Sequence, residues 1–295
     1  MSFRRKQKQR GGSKSIRKPS STIRGGAINA GNYDAQLVRM AVGTLNQWAM
    51  DFKGNTERII KSINQAHDAG AVILALPELA VSGYSCQDHF LEREMFELSF
   101  MMLKEIAKAT AGIHILVSLG CPILHNEVRY NCNIFIYGGN IVLIRPKHNL
   151  ADDGNYREAR WFTAWTKTGL EKFNYMDVTC DIGIGLLNLD GIIVGAEVCE
   201  ELWVPDNLGA HMYLAGADVL INGSGSHFEL GKQENKRKKL LENATRACGG
   251  IYLYSNLKGC DGERLYFDGG SLLAMNGKIV GETPTFTLND VQLHY

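Results

Sequence analysis

Short apolar runs rich in β-branched residues recur along this chain. They alternate with stretches in which apolar residues return every three or four positions. The first pattern predicts buried strands and the second predicts amphipathic helices. Strands are expected at 37–45, 71–76, 113–118, 131–137, 140–145, 182–189, 192–198, 218–222, 251–255, 270–275 and 278–280. Helices are expected from Gly54-Asn55 to about Ala69, over 88–110, and over the basic stretch 232–248. In the first helix Ile59, Ile60, Ile63 and Ala66 share a face; in the second Phe90, Phe96, Phe100, Leu103 and Ile106 point inward. Gly138-Gly139, Asp190-Gly191 and Asn276-Gly277 are hairpin turn signals. Residues 148–180 read as a long polar and aromatic loop, a length that usually marks function. Strands and helices interleave without an internal repeat or a later linker. The chain is therefore one α/β domain (α+β mixed) over 37–295, preceded by a leader over 1–36.

Three of the strands end in chemically potent residues. The run 71–76 is followed by Pro77 and Glu78, the run 140–145 by Pro146 and Lys147, and the run 192–198 by Cys199. In open α/β sheets functional groups collect beyond the carboxyl ends of strands. A thiol at a sharp strand-to-helix turn is exposed to attack a substrate, as in a nucleophile elbow. Taken singly, Cys199 is as well explained as a buried structural thiol. Singly, Glu78 is better explained as a surface carboxylate at a strand end and Lys147 as a solvated loop lysine. A carboxylate, an ammonium and a thiol delivered in the same way make a constellation.

These stretches carry a family resemblance. Leu76-Pro77-Glu78-Leu79 with Gly83-Tyr84, Arg145-Pro146-Lys147, and Glu197-Val198-Cys199-Glu200-Glu201-Leu202-Trp203 resemble the Glu-Lys-Cys motifs of the nitrilase (carbon–nitrogen hydrolase) superfamily. Asn131-Cys132, Gly154-Asn155-Tyr156-Arg157-Glu158, Arg160-Trp161-Phe162-Thr163, Gly223-Ser224-Gly225-Ser226-His227 and Lys258-Gly259-Cys260-Asp261-Gly262 are similar to the glutaminase domains of eukaryotic-type glutamine-dependent NAD synthetases. The resemblance runs from about Val38 to the last residue. It implies a four-layer α-β-β-α sandwich, which periodicity alone does not. It implies catalytic roles for Glu78, Lys147 and Cys199. Glu158 matches a second glutamate that steers the lysine, and Glu200 would add its backbone N–H to an oxyanion site. Tyr84 and Tyr156 match positions lining a glutamine pocket. Ser226 and Lys232 match residues that receive the amino acid's polar ends.

An amide has a poor leaving group, and a covalent intermediate divides its hydrolysis into two easier steps. Cys199 would attack the carbonyl, and Glu78 would serve as general acid and base. Lys147 would stabilise the oxyanion. No metal or cofactor is expected for this step. Family members couple the domain to a synthetase that uses ATP and Mg and carries a Ser-Gly-Gly-x-Asp-Ser loop. No such sequence occurs here, and the chain stops near what reads as the start of a final strand. Gly225 to Lys232 fails the P-loop pattern in spacing and in Gln233, and Gly183-x-Gly185 lacks a third dinucleotide-binding glycine. The leading expectation is glutamine amide hydrolysis feeding ammonia to a synthetase domain or subunit. Two alternatives stand beside it: an amidase for another ω-amide or carbamoyl compound, and a non-catalytic short form that binds a synthetase partner. The resemblance also implies homo-oligomers.

Composition narrows the setting. Hydrophobic residues make up 45% of the 295, enough for a sizeable core. No apolar run approaches membrane-spanning length. Seven cysteines without regular spacing argue for a reducing, cytoplasmic setting with free thiols. Eight histidines show no zinc-ligand spacing. The net charge of +1 hides an asymmetry. Residues 1–34 hold nine Lys/Arg and one acid, leaving 23 basic against 30 acidic side chains in the remainder. The basic, Gly/Ser-rich leader is expected to be disordered. A flexible leader, an organellar transit peptide and an arm for an anionic surface remain open for it, with nucleic acid the weaker reading.

Overall fold

The computed structural model describes residues 21–23 and 38–295. Of the leader expected to be disordered, Ser21–Ile23 form a short edge strand beside Leu187–Leu189. The rest of the leader and Leu37 lie outside the described residues.

Two sheets stack face to face. One has eight strands in the order Val291–His294, Met40–Leu45, Ile73–Ala75, Leu116–His125, Val128–Tyr137, Asn140–Pro146, Val178–Ile182 and Glu171–Tyr175. The other has seven, in the order Ser21–Ile23, Leu187–Leu189, Ile192–Val198, Val219–Ser224, Ile251–Asn256, Leu272–Met275 and Lys278–Glu282. Helices α1 (Phe52–Asp68) and α2 (Arg93–Ala109) cover the outer face of the eight-stranded sheet. Helices α3 (Leu208–Leu214) and α4 (Lys238–Cys248) cover the outer face of the seven-stranded sheet. The result is the four-layer sandwich that the resemblance implies.

The strands read as unbroken apolar runs because both of their faces are buried. In Ile73–Ala75, Ile73 and Ala75 pack between the sheets while Leu74 packs under α1 and α2. In Ile251–Asn256, Leu253 faces the inter-sheet layer while Tyr252 and Tyr254 face α3 and α4. Burying one such aliphatic side chain stabilises the fold by about 1.5–3 kcal/mol. A fourth apolar cluster sits at one end of the sandwich and includes Tyr84, Phe90, Phe96, Tyr156, Trp161, Phe162 and Phe267.

Several boundaries differ from the expectations, each for a local reason. Helix α1 begins at Phe52, because Asp51 accepts a hydrogen bond from Gly54 N at 3.0 Å and caps the helix earlier. The stretch 88–110 is not one helix. A 3-10 turn at Gln87–Leu91 ends where Glu92 adopts extended backbone, and α2 starts after it. The strand expected at 113–118 is Leu116–His125. It turns through Asn126 and Glu127, both at positive φ, into Val128–Tyr137. That turn lacks glycine, and Asn126 by itself is a weaker signal in the sequence. The region 148–180 is not all loop. Glu171–Tyr175 and Val178–Ile182 form a hairpin at the sheet edge, with Phe173, Cys180 and Ile182 buried. Its other faces are polar because an edge strand meets water. The stretch expected as one helix over 232–248 opens with a π-helical segment, Gln233–Arg237, before α4.

Candidate active site

The loops after Ile73–Ala75, Asn140–Pro146, Ile192–Val198 and Val219–Ser224 meet at one end of the sandwich. Glu78 is seated there by a close backbone approach. A Cβ on Gly120 would lie 2.0 Å from Leu79 N, so only glycine admits the loop that carries Glu78. Gly120 N also donates to Pro77 O at 2.9 Å.

Glu78, Lys147 and Glu158 form a buried cluster. Lys147 Nζ donates to Glu78 Oε1 at 2.6 Å and to Glu158 Oε1 at 2.8 Å. Glu78 Oε1 also accepts from Asn131 Nδ2 at 2.8 Å, and its Oε2 accepts from Gly225 N at 2.9 Å. Glu158 Oε1 accepts from Tyr84 Oη at 2.8 Å, and its Oε2 from Ala151 N at 3.0 Å. One ammonium thus faces two carboxylates. Burial pushes Glu78 up to about 7; Lys147 opposes the rise and the Glu158 charge adds to it. Burial works against the Lys147 ammonium, but Glu158 and Glu78 outweigh it and hold its pKa above the ordinary lysine range.

Cys199 follows Val198 at the start of a 3-10 turn, with φ of +43°. A non-glycine residue held there costs about 1–3 kcal/mol, and such strain clusters at functional sites. The thiol is 97% buried and is pushed up by burial and by Glu78, while Lys147 draws it down. It shares the electrostatic environment of Glu78, Lys147 and Glu158. As a neutral thiol it needs a base beside it to become a nucleophile.

Cys199 also lines a cavity of about 340 Å³ together with Asp153, Tyr156, Glu200, Trp203, Ser226, His227, Glu229, Lys232 and Lys236. Tyr156 Oη donates to Gly225 O at 3.0 Å and accepts from His227 N at 3.0 Å. Lys232 Nζ donates to His227 O at 3.2 Å and Glu229 Oε1 at 3.1 Å, and lies 5.5 Å from the Trp203 ring centre. Burial draws its pKa down. Glu200 is half-buried and its carboxyl is raised by burial. So Glu200, Tyr156, Ser226 and Lys232 share one pocket with Cys199. Tyr84 does not line it. Tyr84 is packed edge-on 6.1 Å from Tyr156, and its hydroxyl is spent on Glu158.

Other residues frame the site that sequence reasoning did not single out. Glu201 is fully buried. Its Oε2 accepts from Val198 N at 2.6 Å and pairs with Arg145 Nη1 at 2.5 Å, and its Oε1 accepts from His148 N. One carboxylate therefore ties the cysteine turn to the strand end that carries Lys147. Glu201 lies in the run Cys199-Glu200-Glu201, where the resemblance points to the first glutamate alone. Arg237 forms a buried pair with Asp268 and donates Nη2 to Ser226 O at 2.8 Å, which holds the Gly223–His227 loop. Asp261 Oδ2 accepts from Tyr84 N and Ser85 N at 3.0 and 2.9 Å. Among the described residues no cluster of His, Cys, Asp and Glu is arranged to hold a metal ion, and no helix is long and apolar enough to cross a membrane.

The carbon-nitrogen hydrolase family matches residues 39–294. Glutamine-dependent NAD(+) synthetase of Saccharomyces cerevisiae is 44% identical over 268 residues, covering 88% of this chain and 37% of that protein. The chain thus spans little more than a third of the length of that relative. The crystal structure of a glutamine-dependent NAD(+) synthetase from Cytophaga hutchinsonii superposes with a TM-score of 0.80 at 33% identity, over 88% of this chain and 42% of the other. A Nesterenkonia amidase of the nitrilase superfamily shares the fold, with a TM-score of 0.68 at 19% identity over 87% of this chain and 88% of the amidase.

Proposed function

This chain belongs to the carbon-nitrogen hydrolase family, and on that footing we propose that it hydrolyses the side-chain amide of glutamine through a thioester on Cys199. The ammonia released would serve the conversion of nicotinic acid adenine dinucleotide to NAD, at a synthetase domain or subunit. One observation carries the reading. An ammonium clamped between two buried carboxylates lies beside a thiol that opens into a small polar pocket.

The chemistry follows from the contacts. Glu78 takes the Cys199 proton as sulfur attacks the amide carbon. The new oxyanion lies against the Lys147 ammonium and Glu200 N–H, preorganised charges in a site that water barely enters. The C–N bond then breaks, and Glu78 returns its proton to the departing ammonia. Water next attacks the thioester carbonyl and gives a proton to Glu78. Glutamate leaves and the thiol is restored. A carboxyl raised to about 7 is suited to both directions of transfer near neutral pH. Glu158, tied by Tyr84 and Ala151 N, holds the Lys147 ammonium in place. The α-amino and α-carboxylate groups of glutamine need charged partners at the pocket mouth. Lys232 and Ser226 are assigned to the carboxylate end, beside Tyr156. ATP and Mg would enter only at the synthetase site.

The names of the relatives support glutamine over other ω-amides, since they join glutamine to NAD synthesis. The test is ammonia release from glutamine, and from a panel of other ω-amides and carbamoyl compounds, by the purified chain and by Cys199→Ala. Release from glutamine by the parent alone is expected. A folded parent that prefers another amide, or that releases nothing with a synthetase domain added, would overturn the substrate or the activity respectively.

A further inference from the structure

The left-handed backbone of Cys199 is held by a buried side chain that does not line the pocket. Asn222, on Val219–Ser224, contacts both polar backbone groups of Cys199. Its Oδ1 accepts from Cys199 N at 3.0 Å, and its Nδ2 lies 3.4 Å from Cys199 O as a donor. Oδ1 also accepts from Ser224 Oγ at 2.8 Å. Nδ2 also donates to Tyr252 Oη at 3.1 Å. Tyr252 Oη in turn donates to Glu197 Oε2 at 2.6 Å, and Glu197 Oε1 accepts from Gly209 N at 2.6 Å. Asn222, Tyr252 and Glu197 are all fully buried.

We propose that Asn222, locked in one orientation by Tyr252 and Glu197, is a positioning residue that keeps Cys199 in its reactive backbone conformation. The proposal rests on Cys199 as the nucleophile of the amide hydrolysis put forward above. The donor and acceptor count gives the direction of the chain. A carboxylate only accepts, so Glu197 commits the Tyr252 proton to itself. The lone pair left on Tyr252 then requires a donor, which selects the nitrogen end of the Asn222 amide. Its oxygen end is left facing Cys199 N–H. The reversed amide would set two donors together at Cys199 N and two acceptors together at Cys199 O, in a dry site where unpaired polar groups are costly. Gly209 completes the arrangement: a Cβ there would come within 2.7 Å of the Glu197 carboxylate.

None of the three side chains touches the pocket. Their loss is therefore expected in kcat and not in KM. Asn222→Ala, Tyr252→Phe and Glu197→Gln would be compared with the parent at pH 8, above the value of about 7 to which burial raises Glu197. Two readouts are needed: steady-state glutamine hydrolysis, and the rate of Cys199 alkylation by iodoacetamide followed by mass spectrometry. Asn222→Ala is expected to lower kcat on the order of a hundredfold, as small misplacements of reacting groups do, with KM nearly unchanged. Tyr252→Phe and Glu197→Gln are each expected to lower it about tenfold, and the double variant no further, because they act through one chain of contacts. Cys199 alkylation should slow in parallel. The exposed Cys248 and Cys260 should react as in the parent, and the buried Cys86, Cys121 and Cys132 should stay silent if the fold is intact. Should Asn222→Ala not fold, Tyr252→Phe, which keeps the ring, decides. Alkylation and kcat within about twofold of the parent, or losses that add in the double variant, would overturn the proposal. The alkylation arm judges it even if the parent releases no ammonia from glutamine, an outcome that would sink the hydrolysis reading alone.

Discussion

Glu78 and Glu229 each face lysine, yet their carboxyls move in opposite directions. Glu78, fully buried against Lys147, is raised to about 7. At Glu229, which is 42% exposed, burial also raises, but hydrogen bonds to Lys232 and Lys236 prevail and lower it to about 2. The difference lies in water and in neighbours. At Glu78 desolvation is complete, and Glu158 competes for the same ammonium. At Glu229 solvent reaches the carboxylate, and two cations serve it. A proton-transfer group needs the first environment, because its charge must be easy to lose and regain near neutrality. A group that orients charged partners needs the second, because its charge should persist. We expect the buried cluster around Glu78, the floor of the site, to serve chemistry, and the solvent-reached lysines around Glu229, its mouth, to serve recognition.

The largest effects should come from the floor. Cys199→Ala is expected to abolish ammonia release, and Glu78→Gln to lower kcat by about 10²–10⁴ with little change in KM. Lys147→Met would leave two buried carboxylates without their cation. We expect a loss of about 3–5 kcal/mol in urea unfolding, the range for breaking one side of a buried pair. Stability near the parent value would mean that the two carboxylates share a proton in the folded chain.

A pH profile sharpens the contrast. Only ionised Glu78 can take the thiol proton, so kcat/KM should rise with pH through a limb near 7 and then level. The stability effect has the opposite sense. From about pH 4.5 to 7 the unfolded carboxylate has lost its proton while the folded one retains it. The unfolded state binds fewer protons, so this group's contribution to stability falls as pH rises through the window. Glu78→Gln should remove that contribution and leave the like contribution of Glu197, which is also raised to about 7. A flat kcat/KM between pH 6 and 8 would argue against Glu78 as the base.

The smallest effects belong to the mouth. Lys232→Ala is expected to raise KM for glutamine about tenfold with kcat nearly held, since it removes binding common to ground and transition states. Lys236→Ala, at an exposed pair, should shift unfolding by no more than about 0.5 kcal/mol. A large drop in kcat from either would place the mouth within the chemistry and erase the distinction.

Much of the site was legible in the chain. Glu78, Lys147 and Cys199 each close a short β-branched run, and the motifs around them are contiguous. Tyr156 and Ser226 lie in further motifs of the resemblance, Lys232 was matched as a single position, and all three meet Cys199 in one pocket. The hairpin Glu171–Tyr175 and Val178–Ile182 was hidden because only its inward positions alternate. The helix break at Glu92 was hidden because no proline or glycine marks it in the sequence. Asn222, Tyr252 and Glu197 were invisible as a unit. They stand on three neighbouring strands, and nothing local says which strands are neighbours.

Local pattern by itself determined which runs are buried, where the thiol, carboxylate and ammonium fall, and that the leader differs in charge from the domain. These follow from periodicity and composition, which act over a few residues. The tertiary structure decided which groups meet, which carboxylate rises and which falls, and which side chain meets the Cys199 backbone. Those depend on desolvation and on hydrogen-bond partners 23 to 69 residues away along the chain. Only the stacking of the two sheets brings such partners together and shuts water out.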